Sequence, residues 1–520
     1  MTQSTLDERS GFHPAGRGEA VASPRAGVQD KKLKLLLVCP APREFRAVKR
    51  GRQPPGRLKI FRFSMLSPLR VAAAAPEGVE ATILDENVEP VDFDAEADLV
   101  GISFMTYNAP RAYEMAREFR RRGRTVIFGG YHPTLAPGEA AEHCNAVCIG
   151  EAEANLPRMV EDFKSGRLAR FYSEKSERLR LRPVPRNLID KRHYILSSVV
   201  QATRGCPNRC DFCSVSAFHR GCFQSLPIED VVAEVSAIRE KTVLFMDDNL
   251  IADMAYARSL LEAMAPLGKR WYTQIGVKAA QEPGFLALLR RSGCRGVFVG
   301  FESISQPSLE GVHKSFHRAA FYEEAVRRFH AHGMAVYAAF VLGFDQDRPE
   351  GFQETSRFLK RARVDALQLT VLTPFPGTPL FEKLDREGRI FDRNWEHYDM
   401  GHVVFQPENM SAEELKAGHD GILAAFYSWP AILRRLLWQA RYLAPQEIAA
   451  AFLLGAGYRY KLSKLAAAAA ESGTCEATGR GRSSTAGNQW PPPARSRRPF
   501  TRSRASDLPC LSKTDASRSR

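Results

Sequence analysis

The chain has 520 residues and is 44% hydrophobic, enough for two or three domains with full-sized cores. Its net charge of +15 invites a nucleic-acid reading, but ten Lys/Arg against four Asp/Glu lie between Ala466 and Arg520, so +6 of the +15 sits in one Ser-, Arg-, Pro- and Gly-rich stretch with few core-forming residues. Residues 1–31 and 466–520 therefore read as disordered tails, and no nucleic-acid partner is expected. Ten cysteines are too sparse for a secreted disulfide framework, Met1–Gln29 is polar where a secretory signal would be apolar, and no uninterrupted apolar run reaches the roughly 18 residues a membrane span needs. The expectation is a reduced, cytoplasmic protein.

Leu33–Val38 is apolar except for Lys34, as a strand buried on both faces of a parallel sheet would be. Ala81–Leu84, Leu99–Phe104, Thr125–Phe128 and Ala146–Ile149 repeat the pattern, with a helical period over Ala109–Arg122. Such alternation predicts a doubly wound, Rossmann-like α/β domain over residues 32–166. Residues 167–193, charged and carrying Pro183 and Pro185, read as a linker. Six more strands are expected at Ser198–Ala202, Thr242–Met246, Trp271–Gly276, Gly296–Gly300, Ala335–Val341 and Ala366–Leu372. Helical stretches such as Ile228–Arg239, Tyr256–Ala265 and Arg318–His332 lie between them, which predicts a partial (β/α)6 barrel over 194–400 with active groups at the carboxyl ends of its strands. Residues 401–465 read as helical, opened by Ser411 with Glu414 at capping-box spacing. Leu433–Leu443 mixes Leu, Trp and Tyr with Arg434, Arg435 and Arg441. It fits either a helix packed on the barrel with snorkelling arginines or an amphipathic helix at a membrane surface.

The sharpest signal follows the first barrel strand. Arg204-Gly205-Cys206-Pro207-Asn208-Arg209-Cys210-Asp211-Phe212-Cys213 is a C-x3-C-x2-C loop, and three thiolates on one loop can ligate three irons of a cubane while a fourth iron stays open. Structural zinc, the competing reading, wants four ligands, and the only nearby fourth candidate is Cys222. The loop, with Phe212 before its third cysteine, resembles the signature of the radical S-adenosylmethionine (SAM) superfamily over roughly Tyr194–Met400. That resemblance implies a [4Fe–4S] cluster on Cys206, Cys210 and Cys213. It also implies SAM bound at the open iron and cleaved reductively to a 5′-deoxyadenosyl radical, and an external one-electron donor such as flavodoxin or ferredoxin. It further implies SAM-contacting roles for Phe212, for Asp247 and Asp248 at the end of one strand, for Glu302 and Ser303 at the end of another, for Gly343, and for Pro374 in Thr373-Pro374-Phe375-Pro376-Gly377-Thr378-Pro379.

In the first domain, Gly101–Thr106 and Phe128–Pro133 end the third and fourth strands, and Gly150-Glu151-Ala152-Glu153 ends the fifth. Ligands of open α/β sheets bind at such carboxyl ends, and adjacent glycines let a ligand approach the backbone. No G-x-G-x-x-G favours a nicotinamide cofactor. The arrangement is similar to the cobalamin-binding domain that precedes the barrel in one radical SAM subgroup, which implies that Ser103, Thr106, Gly129 and Gly130 lie along the nucleotide tail of cobalamin. There is no Asp-x-His-x-x-Gly segment, so a histidine as lower cobalt ligand is not expected, and His132 reads as a loop residue. The alternative is a degenerate module that binds no cofactor. The function expected is cobalamin-dependent methylation of an unactivated carbon in a small molecule or lipid, with peripheral membrane contact conceivable. Radical cyclisation, rearrangement or oxidation without methyl transfer is the alternative, and a non-catalytic metal- or nucleic-acid-binding regulator is the reading from another class. Cys294 is a candidate hydrogen donor.

Overall fold

The computed structural model describes residues 32–47, 65–174 and 182–476. The expected tails lie largely outside this range. The helix Pro445–Glu476, however, carries on past Ala466, where disorder was expected, because residues 466–470 are an unbroken run of alanine, the best helix former.

The first domain is one parallel sheet of six strands in the order β2-β1-β3-β4-β5-β6. They are β1 (Leu33–Cys39), β2 (Val79–Asp85), β3 (Leu99–Ser103), β4 (Thr125–Gly129), β5 (Ala146–Cys148) and β6 (Phe171–Tyr172). The apolar runs are continuous because both faces are covered. Along β1, Leu35 and Leu37 point to the layer containing the helices Leu66–Ala74 and Ala152–Lys164, while Leu36 and Val38 point to the layer of the helix Ala109–Arg121. β6 comes from the stretch read as linker. It pairs two residues with β5, too short a run to show in the sequence.

The second sheet also has six parallel strands, in the order β14-β13-β12-β11-β10-β7. These are β7 (Val199–Val200), β10 (Thr242–Phe245), β11 (Arg270–Ile275), β12 (Cys294–Glu302), β13 (Ala335–Leu342) and β14 (Ala366–Val371), the partial barrel anticipated. Between β7 and β10 stands an antiparallel ribbon, β8 (Thr203–Gly205) with β9 (Phe223–Ser225), which clasps the base of the cysteine loop. A single core runs from Val200 to Tyr427. Its fully buried Trp271, Phe301, Phe340 and Phe344 each stabilise the fold by about 1.5–3 kcal/mol through burial.

Ser411 and Glu414 form the expected capping box at the start of the helix Ala412–Phe426, whose Leu415, Ile422 and Phe426 close the core over β14. Cys294 is at the wrong place for the expected hydrogen-donor role. It opens β12 at its amino end, fully buried, and burial pushes its thiol up to about 12.

Candidate active site

The cysteine loop stands at the carboxyl end of the second sheet and is tied from several sides. Gly205 begins it at φ +73°, and a Cβ there would lie 2.2 Å from the Cys222 carbonyl oxygen, so the turn requires glycine. The Gly205 amide donates to Asp248 Oδ2 at 2.9 Å. Asp211, in the middle of the loop, donates its amide to Val312 O, accepts the Leu380 amide at 3.1 Å, and meets His313 Nδ1 at 2.8 Å. The segments following β12 and β14 thus hold the loop against the ends of the sheet.

Cys210 is buried, Cys206 and Cys213 are half-buried, and all three are free thiols. Asn249 Nδ2 donates to Cys206 Sγ at 3.8 Å. Burial raises Cys206 and pushes Cys210 up to about 12, and the positive charge of a bound metal would favour their thiolate forms. Among the described residues, no three His, Cys, Asp or Glu side chains are grouped as a single metal ion would need. A mononuclear zinc would draw its ligands to within about 2.3 Å of one point, whereas a cubane takes each thiolate to a different iron. The three-thiol loop fits a cluster in the chemistry of its donors.

The expected SAM contacts divide into two groups. Asp247 is buried, and its Oδ1 accepts the amides of Ala202 and Thr203 and the Thr203 hydroxyl, the last at 2.7 Å; its Oδ2 is buried without a partner. Burial pushes this carboxyl up to about 7, against the pull of those donors. Asp247 therefore shapes the ribbon beneath the loop. Gly343 is explained by packing, since a Cβ on it would lie 2.8 Å from Leu415 Cδ2. Pro374 is buried in the turn after β14, and Phe212 packs edge-on against Phe344 at 5.6 Å.

Glu302 is different. It follows a register shift between β12 and β13 and sits at φ +65°, a conformation uncommon for a residue with a Cβ. Its Oε1 accepts Lys314 Nζ at 2.6 Å, and Lys314 also reaches the Gly300 carbonyl at 3.3 Å. The positive φ and the paired carboxylate thus fall together at the carboxyl end of β12. Ser303 is buried next to it, its hydroxyl accepting the Ser305 amide.

The carboxyl end of the first sheet faces this loop. Gly130, after β4, lies at φ +99°, and a Cβ on it would come within 2.9 Å of the Phe104 amide nitrogen and carbonyl oxygen. At Gly129 the nearest atom to such a Cβ would be 3.8 Å away, and at Gly150 nothing lies within 4 Å, so the crevice is open there. With the hydroxyls of Ser103 and Thr106 at the end of β3, these backbones fit the approach of an extended nucleotide tail. His132, expected in a loop, stands instead in the short helix Tyr131–Leu135, fully buried, with Nε2 2.9 Å from the Tyr113 hydroxyl.

Contacts missed by sequence reasoning join the two ends. Arg204, two residues before the first cysteine, reaches Glu153 Oε1 at 2.5 Å and Glu151 Oε1 at 3.5 Å, beyond β5. Burial works against the Arg204 charge, but the two carboxylates outweigh it and hold the guanidinium above its ordinary value. The Tyr131 ring packs on Phe218, in the helix after the cysteine loop, at 4.7 Å. Its hydroxyl is raised by burial and by the nearby Asp248 and Cys213. Glu139 accepts both the Tyr113 hydroxyl at 3.0 Å and Trp395 Nε1, from the end of the barrel, at 2.7 Å. The only hint of these contacts in the sequence was a pair of glutamates at a strand end.

Residues 69–160 match the B12 binding domain and residues 200–359 the radical SAM superfamily. The bacteriochlorophyllide d C-12(1)-methyltransferase of Chlorobaculum tepidum is 32% identical over 386 residues, covering 71% of this chain and 84% of that protein. This chain belongs to the radical SAM enzymes that carry a B12-binding domain. The hopanoid C-2 methylase of Rhodopseudomonas palustris is 27% identical, covering 62% of this chain and 64% of that protein. Among solved structures, the radical SAM methyltransferase TsrM of Kitasatospora setae, with cobalamin and a [4Fe-4S] cluster bound, superposes with a TM-score of 0.56 at 16% identity, over 69% of this chain and 78% of that one. That likeness is one of fold. Residues 378–479, from the end of the barrel through the C-terminal helices, match a domain of unknown function.

Proposed function

We propose that this radical SAM enzyme holds a [4Fe–4S] cluster on Cys206, Cys210 and Cys213 and cobalamin at the end of the first sheet, and methylates an unactivated carbon of a large, apolar, ring-rich small molecule. The cluster supplies the electron that cleaves SAM, and cobalamin supplies a carrier for the methyl group. The observation that carries the reading is the meeting of the two carboxyl ends. Arg204 binds the cysteine loop to Glu151 and Glu153, and Tyr131 packs on Phe218 in the helix that follows that loop, so a carrier in one crevice would adjoin a radical source in the other.

Within this arrangement the residues of the chain have separate tasks. Asn249 donates to the Cys206 sulfur, and Asp248 and Asp247 fix the backbone on which that cysteine stands. Glu302, oriented by Lys314, is the carboxylate proposed to accept the SAM ammonium, with Ser303 beside it. Ser103, Thr106, Gly129 and Gly130 receive the cobalamin tail. The substrate class rests on two relatives, named for methylating a bacteriochlorophyllide and a hopanoid, both broad and apolar. An external one-electron donor such as flavodoxin or ferredoxin completes the reaction.

The test is anaerobic reconstitution followed by counting iron, sulfide and cobalamin, then turnover of tetrapyrrole and hopanoid substrates with methyl-labelled SAM. About four irons and one cobalamin per chain, with label in the product, are expected. Alanine at any one of the three cysteines should abolish the cluster absorbance while the circular dichroism stays native. A single zinc, or deoxyadenosine formed with no label in a transformed substrate, would overturn the reading.

A further inference from the structure

Among the described residues no helix is long and apolar enough to cross a membrane. The C-terminal helices nevertheless expose apolar side chains in an ordered way. In the helix Trp429–Gln439, Trp429, Leu433 and Leu437 recur every fourth residue and are 47%, 53% and 75% exposed. Side chains at that interval stand one above another on a single helix face. The adjacent face carries the buried Ile432 and Gln439. In the neighbouring helix, Phe452 and Leu453 are also exposed, and the Phe452 ring lies 6.4 Å from that of Trp429, so the two helices present one continuous apolar surface.

The charge around this surface is mostly positive. From Trp429 to Lys464 the chain has six Lys/Arg and a single carboxylate, Glu447, which already faces Arg295 at 3.6 Å. A cleft of about 300 Å³ opens beside Leu437, between this helix and the helices Glu350–Ala362 and Ala412–Phe426. Lys360, Arg363, Arg434 and Arg441 line it around the Trp438 ring, with the Arg363 guanidinium 3.6 Å and that of Arg441 4.5 Å from the ring centroid. Asp365 also lines the cleft, accepting Gln439 Nε2 at 2.8 Å, and so does Arg435. Arg435 turns inward, donating to the Phe426 carbonyl at 2.6 Å.

An apolar stripe bordered by cations and an indole fits the interface of an anionic bilayer, where the apolar groups enter the acyl region and the arginines meet lipid phosphates. A soluble acidic protein would match the charge but leave the leucine stripe without a use. We infer that this face docks the enzyme on an anionic lipid surface. The face is remote from the chemistry. Gln439 and Tyr427 bond to Asp365 and Leu367, at the amino end of β14, whereas the cysteine loop is at the carboxyl end. It is therefore an anchor that leaves the active site clear.

The test is co-sedimentation of the full chain with vesicles of phosphatidylcholine alone and of phosphatidylcholine with phosphatidylglycerol, with size-exclusion light scattering in parallel. Binding only to the phosphatidylglycerol vesicles is expected, weakening as salt is raised. The triple variant Trp429→Ala/Leu433→Ser/Leu437→Ser, which keeps every charge including those of residues 466–520, should bind about tenfold more weakly or less. Reductive SAM cleavage by that variant should be unchanged, which also shows that it is folded. Arg434→Gln/Arg441→Gln should lose most of the salt-sensitive part. No binding to anionic vesicles, binding that survives the triple variant, or a dimer that this variant dissociates would overturn the inference, the last by making a second copy the occupant.

Discussion

Replacing Arg204 with alanine tests whether the two domains are held together at the site. Arg204 and its partners Glu151 and Glu153 are each less than a fifth exposed, so solvent screens them little. At an effective dielectric of about 20, two unit charges about 4 Å apart attract by about 4 kcal/mol. Much of that repays desolvation, but removing one member leaves the others stranded, a loss of about 3–5 kcal/mol. Here two carboxylates are stranded side by side. Burial and the Glu153 charge already raise the Glu151 carboxyl with the arginine present. The expected loss for Arg204→Ala is therefore about 3 kcal/mol or more, concentrated at the domain junction. Anaerobic urea unfolding, with tryptophan fluorescence for the barrel and circular dichroism for the whole, should show one coincident transition in the parent and two separated transitions in the variant. Because Glu153→Gln removes a partner and leaves Glu151 to neutralise the arginine, it should cost less. The double-mutant cycle between Arg204 and Glu153 should give a coupling of at least about 1 kcal/mol. Coincident transitions in Arg204→Ala, or additive effects within about 0.5 kcal/mol, would refute the clamp.

Gly130→Ala places a Cβ 2.9 Å from the Phe104 backbone at φ +99°, and should lower stability by about 1–3 kcal/mol and empty the domain of cobalamin. Gly129→Ala, with only ordinary contact at 3.8 Å, should melt like the parent yet also retain less cobalamin after desalting; parent-like cobalamin in both would refute the placement. Lys314→Met frees Glu302 from the group that orients it and should raise the SAM dissociation constant about tenfold, with partial recovery in Lys314→Arg, by isothermal titration of the reconstituted enzyme. An unchanged constant would show that Glu302 does not contact SAM. Asp345 tests the electrostatics away from the site. Burial pushes its carboxyl upward, but hydrogen bonds from Lys383 and Arg389 outweigh this and hold it below its ordinary value. A depressed carboxylate contributes stability that is complete above the unfolded value of about 3.9 and is lost as pH falls through the folded value. The melting gap between the parent and Asp345→Asn should therefore be widest near neutrality and close below about pH 4. A gap independent of pH would refute the pairing.

What could be read in advance was local in the chain or periodic along it. The C-x3-C-x2-C spacing is contained in eight residues, and burial on both faces makes Leu33–Cys39 apolar throughout, so the cluster loop and both parallel sheets were legible. What failed depended on pairs of residues distant in sequence. Arg204 and Glu153 are 51 positions apart, and nothing in either neighbourhood indicates the other. The family resemblance implies a SAM contact for Asp247, and the same register lets its Oδ1 accept two backbone amides from the adjacent strand end, a use that its identity alone cannot distinguish. Gly343 illustrates the same ambiguity, since room for a ligand and room for Leu415 both demand a missing Cβ. Cys294, the candidate hydrogen donor, lies one strand length from the active end. It starts β12 where Glu302 ends it, and a hydrophobic run shows that a strand exists more clearly than which residue begins it. Glu302 itself shows how structure adds to sequence. As a motif residue it was one of several carboxylates at strand ends, but its left-handed backbone and its bond to Lys314 separate it from Asp247. A carboxylate that accepts backbone amides through one oxygen, as Asp247 does, contributes to the scaffold, whereas one at a strained backbone position and paired with a single lysine is proposed to exchange that partner for the ammonium of a ligand.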